Sequence, residues 1–152
     1  GDFVRTRQRN ATASSFEVGM EEESANLDTH HTQETLGWLA LTPGKGNGDG
    51  LAFQAGMTGD EVTDAFTSIG FSDGFSETPH FLASLGSYDG PDSAGLRYQN
   101  LNENGVEVKI EEDISADSEV GHTSELVNFL AMTGDGLLEA SSLDSSTQDS
   151  LI

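Results

Sequence analysis

The chain has 152 residues and no cysteine, and its 6 Lys and Arg stand against 27 Asp and Glu for a formal net charge of −21. Phosphates would have to approach a like-charged surface, which argues against nucleic acid and anionic membranes as partners, and the missing thiols exclude disulfides, thiol catalysis and thiolate zinc sites. No run of residues is apolar for long enough to insert into a membrane, while 18 Gly against 3 Pro point to a folded chain with many turns.

The first strand-like segment gathers three of the six basic residues, Arg5, Arg7 and Arg9, and the alternation Phe16-Glu17-Val18-Gly19-Met20 predicts a second strand. Residues 44–50, with glycine at every second position, read as a flexible connector. Residues 62–71 alternate in part and end in the turn Ser72-Asp73-Gly74, which predicts a strand. Pro79 stands where proline is tolerated, just before a short strand over residues 80–85. Tyr88 to Asp92 read as a turn in which Gly90 supplies a positive φ and Pro91 fixes its own. Residues 95–101 form a further strand, and Asn104-Gly105 carry the type I′ hairpin signal joining it to the strict alternation of residues 106–110. After an acidic loop, residues 126–132 are apolar on both faces, as in a central strand. No segment holds a helical period, so the expected class is all-β: an antiparallel β-sandwich of about six strands per unit, tandemly repeated.

Repetition is read from self-similarity. Residues 7–23 align with residues 97–113, with Arg, Asn, Glu-Val and Glu-Glu in register, a spacing of 90. After a one-residue gap, residues 31–41 (HTQETLGWLAL) lie over residues 122–132 (HTSELVNFLAM), and Gly48-Asp49-Gly50-Leu51 answers Gly134-Asp135-Gly136-Leu137. The expected organisation is the second half of one unit plus linker over residues 1–47, a complete unit over residues 48–132, and the start of a further unit or a strand-donating tail over residues 133–152. Trp38 and Phe129 share one repeat position and are expected in the core.

Phe66 and Phe75 before Pro79, Leu96-Arg97, Asn104-Gly105-Val106-Glu107-Val108 and Val127-Asn128-Phe129-Leu130-Ala131 follow one another in an order that resembles the H-type lectin domain, over one unit and the preceding half-unit. The resemblance implies a six-stranded antiparallel sandwich, binding of N-acetylgalactosamine-type sugars and assembly as trimers. It implies a sugar-site arginine at Arg97, with Arg7 as its counterpart in the first unit. The chain departs from the family where an acidic stretch, residues 111–119, replaces a loop that usually carries an aromatic and polar residues.

That stretch supplies the candidate metal ligands Glu111, Glu112, Asp113, Asp117, Glu119, His122 and Glu125; the counterpart set is Glu21, Glu22, Glu23, Asp28, His30, His31 and Glu34. Clustered oxygens suit a hard cation, so Ca²⁺ is the expected ion, although the EF-hand spacing is missing and imidazole suits zinc or copper better. The alternative is a solvated acidic loop in which His and Glu pair by hydrogen bonding. Acid–base work by paired Glu, or a His that activates Ser124, would need a cleft drawn from a larger scaffold, so no enzymatic activity is expected. Two functions remain at this level. One is an extracellular or cell-surface lectin-like repeat that binds glycans or a surface polymer with avidity from tandem units. The other is a structural repeat of an adhesin, sheath or filament that joins neighbouring copies by strand exchange into an oligomer or polymer.

Overall fold

The computed structural model describes residues 4–25 and 32–136, and within them the chain forms nine strands and no helix. β1 (Val4–Arg9) and β2 (Glu17–Glu22) make an antiparallel hairpin. A four-stranded antiparallel sheet follows the order β3-β4-β9-β6, built from β3 (Gly44–Gly48), β4 (Leu51–Met57), β9 (Val127–Thr133) and β6 (His80–Leu85). A three-stranded sheet has the order β5-β8-β7, from β5 (Thr67–Gly70), β8 (Gly105–Glu112) and β7 (Ala94–Asn102).

The period-2 pattern of β8 explains how the two sheets meet. Val106, Val108 and Ile110 are buried on one face, while the residues between them look outward. The inward face packs with Ile69 and Ala94 of its own sheet and with Leu85, Val127 and Ala131 of the other, so the sheets share one hydrophobic core. Aromatic rings close one part of it: Phe71 meets Phe75 edge-on at 5.3 Å, and Phe81 stacks with Phe129 at 6.3 Å. β9 pairs on both sides, with β4 and with β6, which gives the doubly apolar run its central place.

Several sequence expectations are corrected. Residues 44–48 are an edge strand rather than a connector, and the sheet therefore starts before residue 48. Asp49 and Gly50 both take positive φ (50° and 81°) between the paired residues Gly48 and Leu51, so this hairpin carries the Asp-Gly turn. The β7–β8 turn instead lies on Glu103 and Asn104, neither with positive φ, because a register shift between Gln99 and Asn102 with Asn100 at φ 54° takes up the twist. Within residues 62–71 only β5 is a strand, and Val62 makes a single bridge to Glu125. Trp38 is 71% exposed and touches Phe16 edge-on at 5.7 Å, outside the core expected for it. Gly90 has no positive φ.

The hairpins β1–β2 and β7–β8 pair in one register, ninety positions apart: Val4↔Glu22 corresponds to Ala94↔Glu112, Arg7↔Gly19 to Arg97↔Lys109 and Arg9↔Glu17 to Gln99↔Glu107. β1 lies beside β6, an edge of the four-stranded sheet, where Gln8 Nε2 donates to Ser84 Oγ at 2.7 Å. The first hairpin thereby covers an edge that would otherwise be open to pairing.

Candidate functional site

Where the hairpin meets the two-sheet body, charged groups are buried together. β1 carries Arg7, which is 3% exposed, on the face it shares with Glu21 of β2. Arg7 Nη1 donates to both carboxylate oxygens of Glu21 at 3.2 Å, and Nη2 donates to Glu125 Oε1 at 2.6 Å. The guanidinium lies 4.4 Å from the ring centroid of Tyr88, a cation–π contact on the third side. Burial, followed by the neighbouring Glu21 carboxylate, holds the Tyr88 phenol above its ordinary value.

Glu125, wholly buried just before β9, is fixed by the paired backbone of Val62 and by four donors. Besides Arg7, Ser87 Oγ donates at 2.6 Å, the Asp89 amide at 3.1 Å, and His122 Nε2 lies at 3.1 Å. Burial alone would raise its pKa, but the hydrogen bonds from Ser87, His122 and the Asp89 amide, with the Arg7 charge, outweigh it and leave Glu125 below the usual carboxylate range. An ionised carboxylate only accepts, so His122 Nε2 is the donor here. The other ring nitrogen, Nδ1, lies 2.8 Å from Glu112 Oε1. Hydrogen bonding on both sides of the ring therefore needs two protons spread over Glu112, His122 and Glu125. Gly90 is buried against this ring: a β-carbon there would collide with the His122 imidazole, and this requirement for space, not a turn conformation, is why glycine stands at position 90.

Glu21 also accepts from Ser93 Oγ at 3.3 Å and from the Ala94 amide at 3.4 Å. Next to it, Asp113 Oδ2 accepts from the Ser24 amide at 2.8 Å, and Ser115 Oγ from the Ala25 amide at 2.9 Å. The hairpin and the body are thus joined by a continuous polar seam, in which the desolvated charges are balanced by opposite charge and by well-placed donors.

The candidate ligands do not share one destination. Glu112, His122 and Glu125 come together, but as a chain through opposite ring nitrogens instead of a set around one point. Glu21 joins them through Arg7. Glu111 is drawn off by Arg97 (2.8 Å) and Lys109 (3.0 Å), which with their hydrogen bonds hold it below the carboxylate range. Asp117 accepts from the Glu119 amide within its own turn, and Glu34 is exposed. Glu22 and Glu23 are half-buried beside Glu21, while Asp28, His30 and His31 lie outside the described residues. Among the described residues, no group of three or more His, Asp and Glu side chains is placed to hold a metal ion. Of the two arginines implied for sugar binding, Arg7 faces the interior and Arg97, 66% exposed, faces solvent.

Sequence reasoning missed Ser87, Tyr88, Gly90 and Ser93, which complete the seam from the loop between β6 and β7. Arg7 and Glu125 are 118 positions apart, and no local spacing announces such a pair. The available signal was the scarcity of cations: a chain with 6 Lys and Arg repeats one of them at matching positions, Arg7 and Arg97.

Both His122 nitrogens are engaged, by Glu112 and Glu125, and Ser87 Oγ donates to Glu125 while accepting from the Leu126 amide, so these groups hold one another in place.

The chain is similar to halomucin of Haloquadratum walsbyi (strain DSM 16790 / HBSQ001), with 34% identity over 132 residues. The match covers 86% of this chain and 1% of that protein, so the chain spans about one hundredth of the length of its relative. No family model and no solved structure matches it.

Proposed function

We propose that the chain is a non-enzymatic stretch of an extracellular surface protein, in which small β-sandwich units follow one another in tandem and are locked head to tail. The observation that carries this reading is the buried seam through Arg7, Glu21, Glu125 and His122, where buried charged groups join the hairpin to the body. The common register of the hairpins β1–β2 and β7–β8 supports repetition. The name of the relative supports a place outside the cell in salt-rich surroundings. A net charge of −21 fits that setting, because self-repulsion among carboxylates is relieved by counter-ions. Cations act in this reading as screening ions.

Hydrogen exchange in molar NaCl tests the lock. The amides of β1 and β2 are expected to be protected nearly as well as those of β8 and β9, and Arg7→Ala to lower their protection by about 3–5 kcal/mol while the body keeps its own. A wild-type hairpin that exchanges like an exposed loop sinks the reading. Antibodies against the chain should label intact cells that produce it, and staining confined to permeabilised cells would contradict the extracellular assignment. The glycan-binding alternative, which the H-type lectin resemblance implies, is favoured by one feature, the exposed guanidinium of Arg97. Retention on a glycan array that is abolished by Arg97→Ala would establish it in place of the structural reading.

A further inference from the structure

We infer that the outer face of the β7–β8 hairpin, centred on Arg97 and Glu111, is a docking surface for the Glu125 socket of a second copy of this unit. The inference rests on the repeat reading above and names the partner and the face.

The argument starts from the docked hairpin. In β1–β2, residues 5, 7, 9, 17, 19 and 21 share one face, of which Arg7 and Glu21 are buried against the body while Arg9, Glu17 and Gly19 stay exposed. Ninety positions later the same phase of β7–β8 carries Gly95, Arg97, Gln99, Glu107, Lys109 and Glu111. This is the face turned away from the core, since Val106, Val108 and Ile110 fill the other one. The central pair is already formed there, with Arg97 Nε donating to Glu111 Oε1 at 2.8 Å. The flanking pair is kept too: Arg9–Glu17 at 2.8 Å corresponds to Gln99–Glu107 at 2.9 Å. β7 is the edge of its sheet as β1 is of its own.

The two hairpins differ in what lies over the centre of that face; on β7–β8 the Arg5 guanidinium covers only the Gly95 end. Arg7 is 3% exposed under the body, whereas Arg97 is 66% exposed and donates to Glu111 through Nε. In the docked hairpin the Arg7 Nη groups reach Glu21, Glu125 and the Ser87 carbonyl. Of the two large changes, Lys109 for Gly19 places its β-carbon where nothing lies within 4 Å, and Gly95 for Arg5 gives up the 4.0 Å ion pair of Arg5 with Glu21. Charge agrees as well: Arg97 and Lys109 are two of the 6 cations of a chain with 27 acidic residues, and the socket presents a buried carboxylate.

Because β1–β2 fills the socket in this chain, the test rewrites its docked face in place. The triple substitution Arg5→Gly, Arg9→Gln and Gly19→Lys gives β1–β2 the six outer-face residues of β7–β8. Hydrogen exchange of the full chain then reads docking at β1 and β2, with β8 and β9 as the internal standard for a folded body. Protection of the rewritten hairpin should stay within about tenfold of wild type, and adding Arg7→Ala should lower it a further several hundredfold or more, as a buried ion pair requires. Protection that falls to the Arg7→Ala level on rewriting alone overturns the proposal. Gly19→Lys by itself separates a clash at that position from the loss of Arg5, and a collapse with this single change also overturns it. Failure of the lock is a different result: there Arg7→Ala in the otherwise unchanged chain leaves the hairpin as well protected as before, and the repeat reading falls with it.

Discussion

Residues 34–41 and residues 125–132 carry nearly the same pattern and have opposite fates. Glu125 is wholly buried under four donors, and Glu34 is exposed. Leu130 is 6% exposed in the centre of a sheet, while Leu39, at the matching position, is 67% exposed outside any strand. Phe129 packs on the core, and Trp38 has Phe16 for a neighbour. A doubly apolar run becomes a central strand only where strands stand on both sides of it. β4 and β6 do so for β9, and residues 36–41 have no such flanks among the described residues. Environment, then, assigns the role that the pattern merely permits.

The sharpest way to break this comparison is to neutralise both glutamates. Glu125→Gln removes the charge on which Arg7, Ser87 and His122 converge and should cost about 3–5 kcal/mol in chemical denaturation, because Arg7 and His122 stay buried. Glu34→Gln, on the surface, should stay within about 0.5 kcal/mol. Equal effects would mean that the two positions are more alike than their burial. The leucines come next. Leu130→Ala should cost about 2–5 kcal/mol through lost burial and the cavity left on the face of β9 turned away from the three-stranded sheet. Leu39→Ala should stay within about 0.5 kcal/mol.

What was legible in the sequence follows the same division. Strands with side-chain signals were readable: the 80–85 segment matches β6, the alternation of residues 106–110 lies inside β8, and the doubly apolar run is the central β9. β3 was not readable, because its Gly-Lys-Gly-Asn-Gly sequence pairs through backbone alone and has no apolar face to display. The β7–β8 hairpin was readable but its turn was one residue off, since the bulge at Asn100 supplies twist that Asn104-Gly105 were expected to supply. For the site, the acidic residues were visible as a group, yet their partners were not. Whether Glu111 faces Arg97, or Glu125 faces Arg7, depends on which strand faces which, and that is a property of the assembled sheets.

Gly90 probes the comparison from the side of the socket. Its space is filled by the His122 ring, so Gly90→Ala must push the imidazole off Glu112 or Glu125 or shift the loop, at about 1–3 kcal/mol. Gly37→Ala, beside the exposed run, meets nothing within 4 Å and should be neutral in the same denaturation assay. A neutral Gly90→Ala would show that the loop between β6 and β7 yields without disturbing the seam.

Acid gives the smallest and most selective effect. Glu125 has a folded-state pKa below its ordinary 4.5, so it binds fewer protons folded than unfolded. Its contribution is therefore complete above about pH 4.5 and is lost as the pH falls through the lowered value. Asp113, which accepts from the Ser24 amide at the same seam, acts in the same direction: burial raises its pKa, but the bonds from Ser115 and Ser24 prevail and leave it below 3.8. Stability should be level from neutrality to about pH 5 with respect to these two groups and should decline below it. Hydrogen exchange should show the hairpin loosening before β8 and β9, because both carboxylates hold β1–β2 and its continuation to the body. In Glu125→Gln the decline should be shallower, since one of the two proton-linked groups is gone. An acid limb of unchanged slope in that variant would assign the linkage to carboxylates elsewhere on the surface and detach it from the seam.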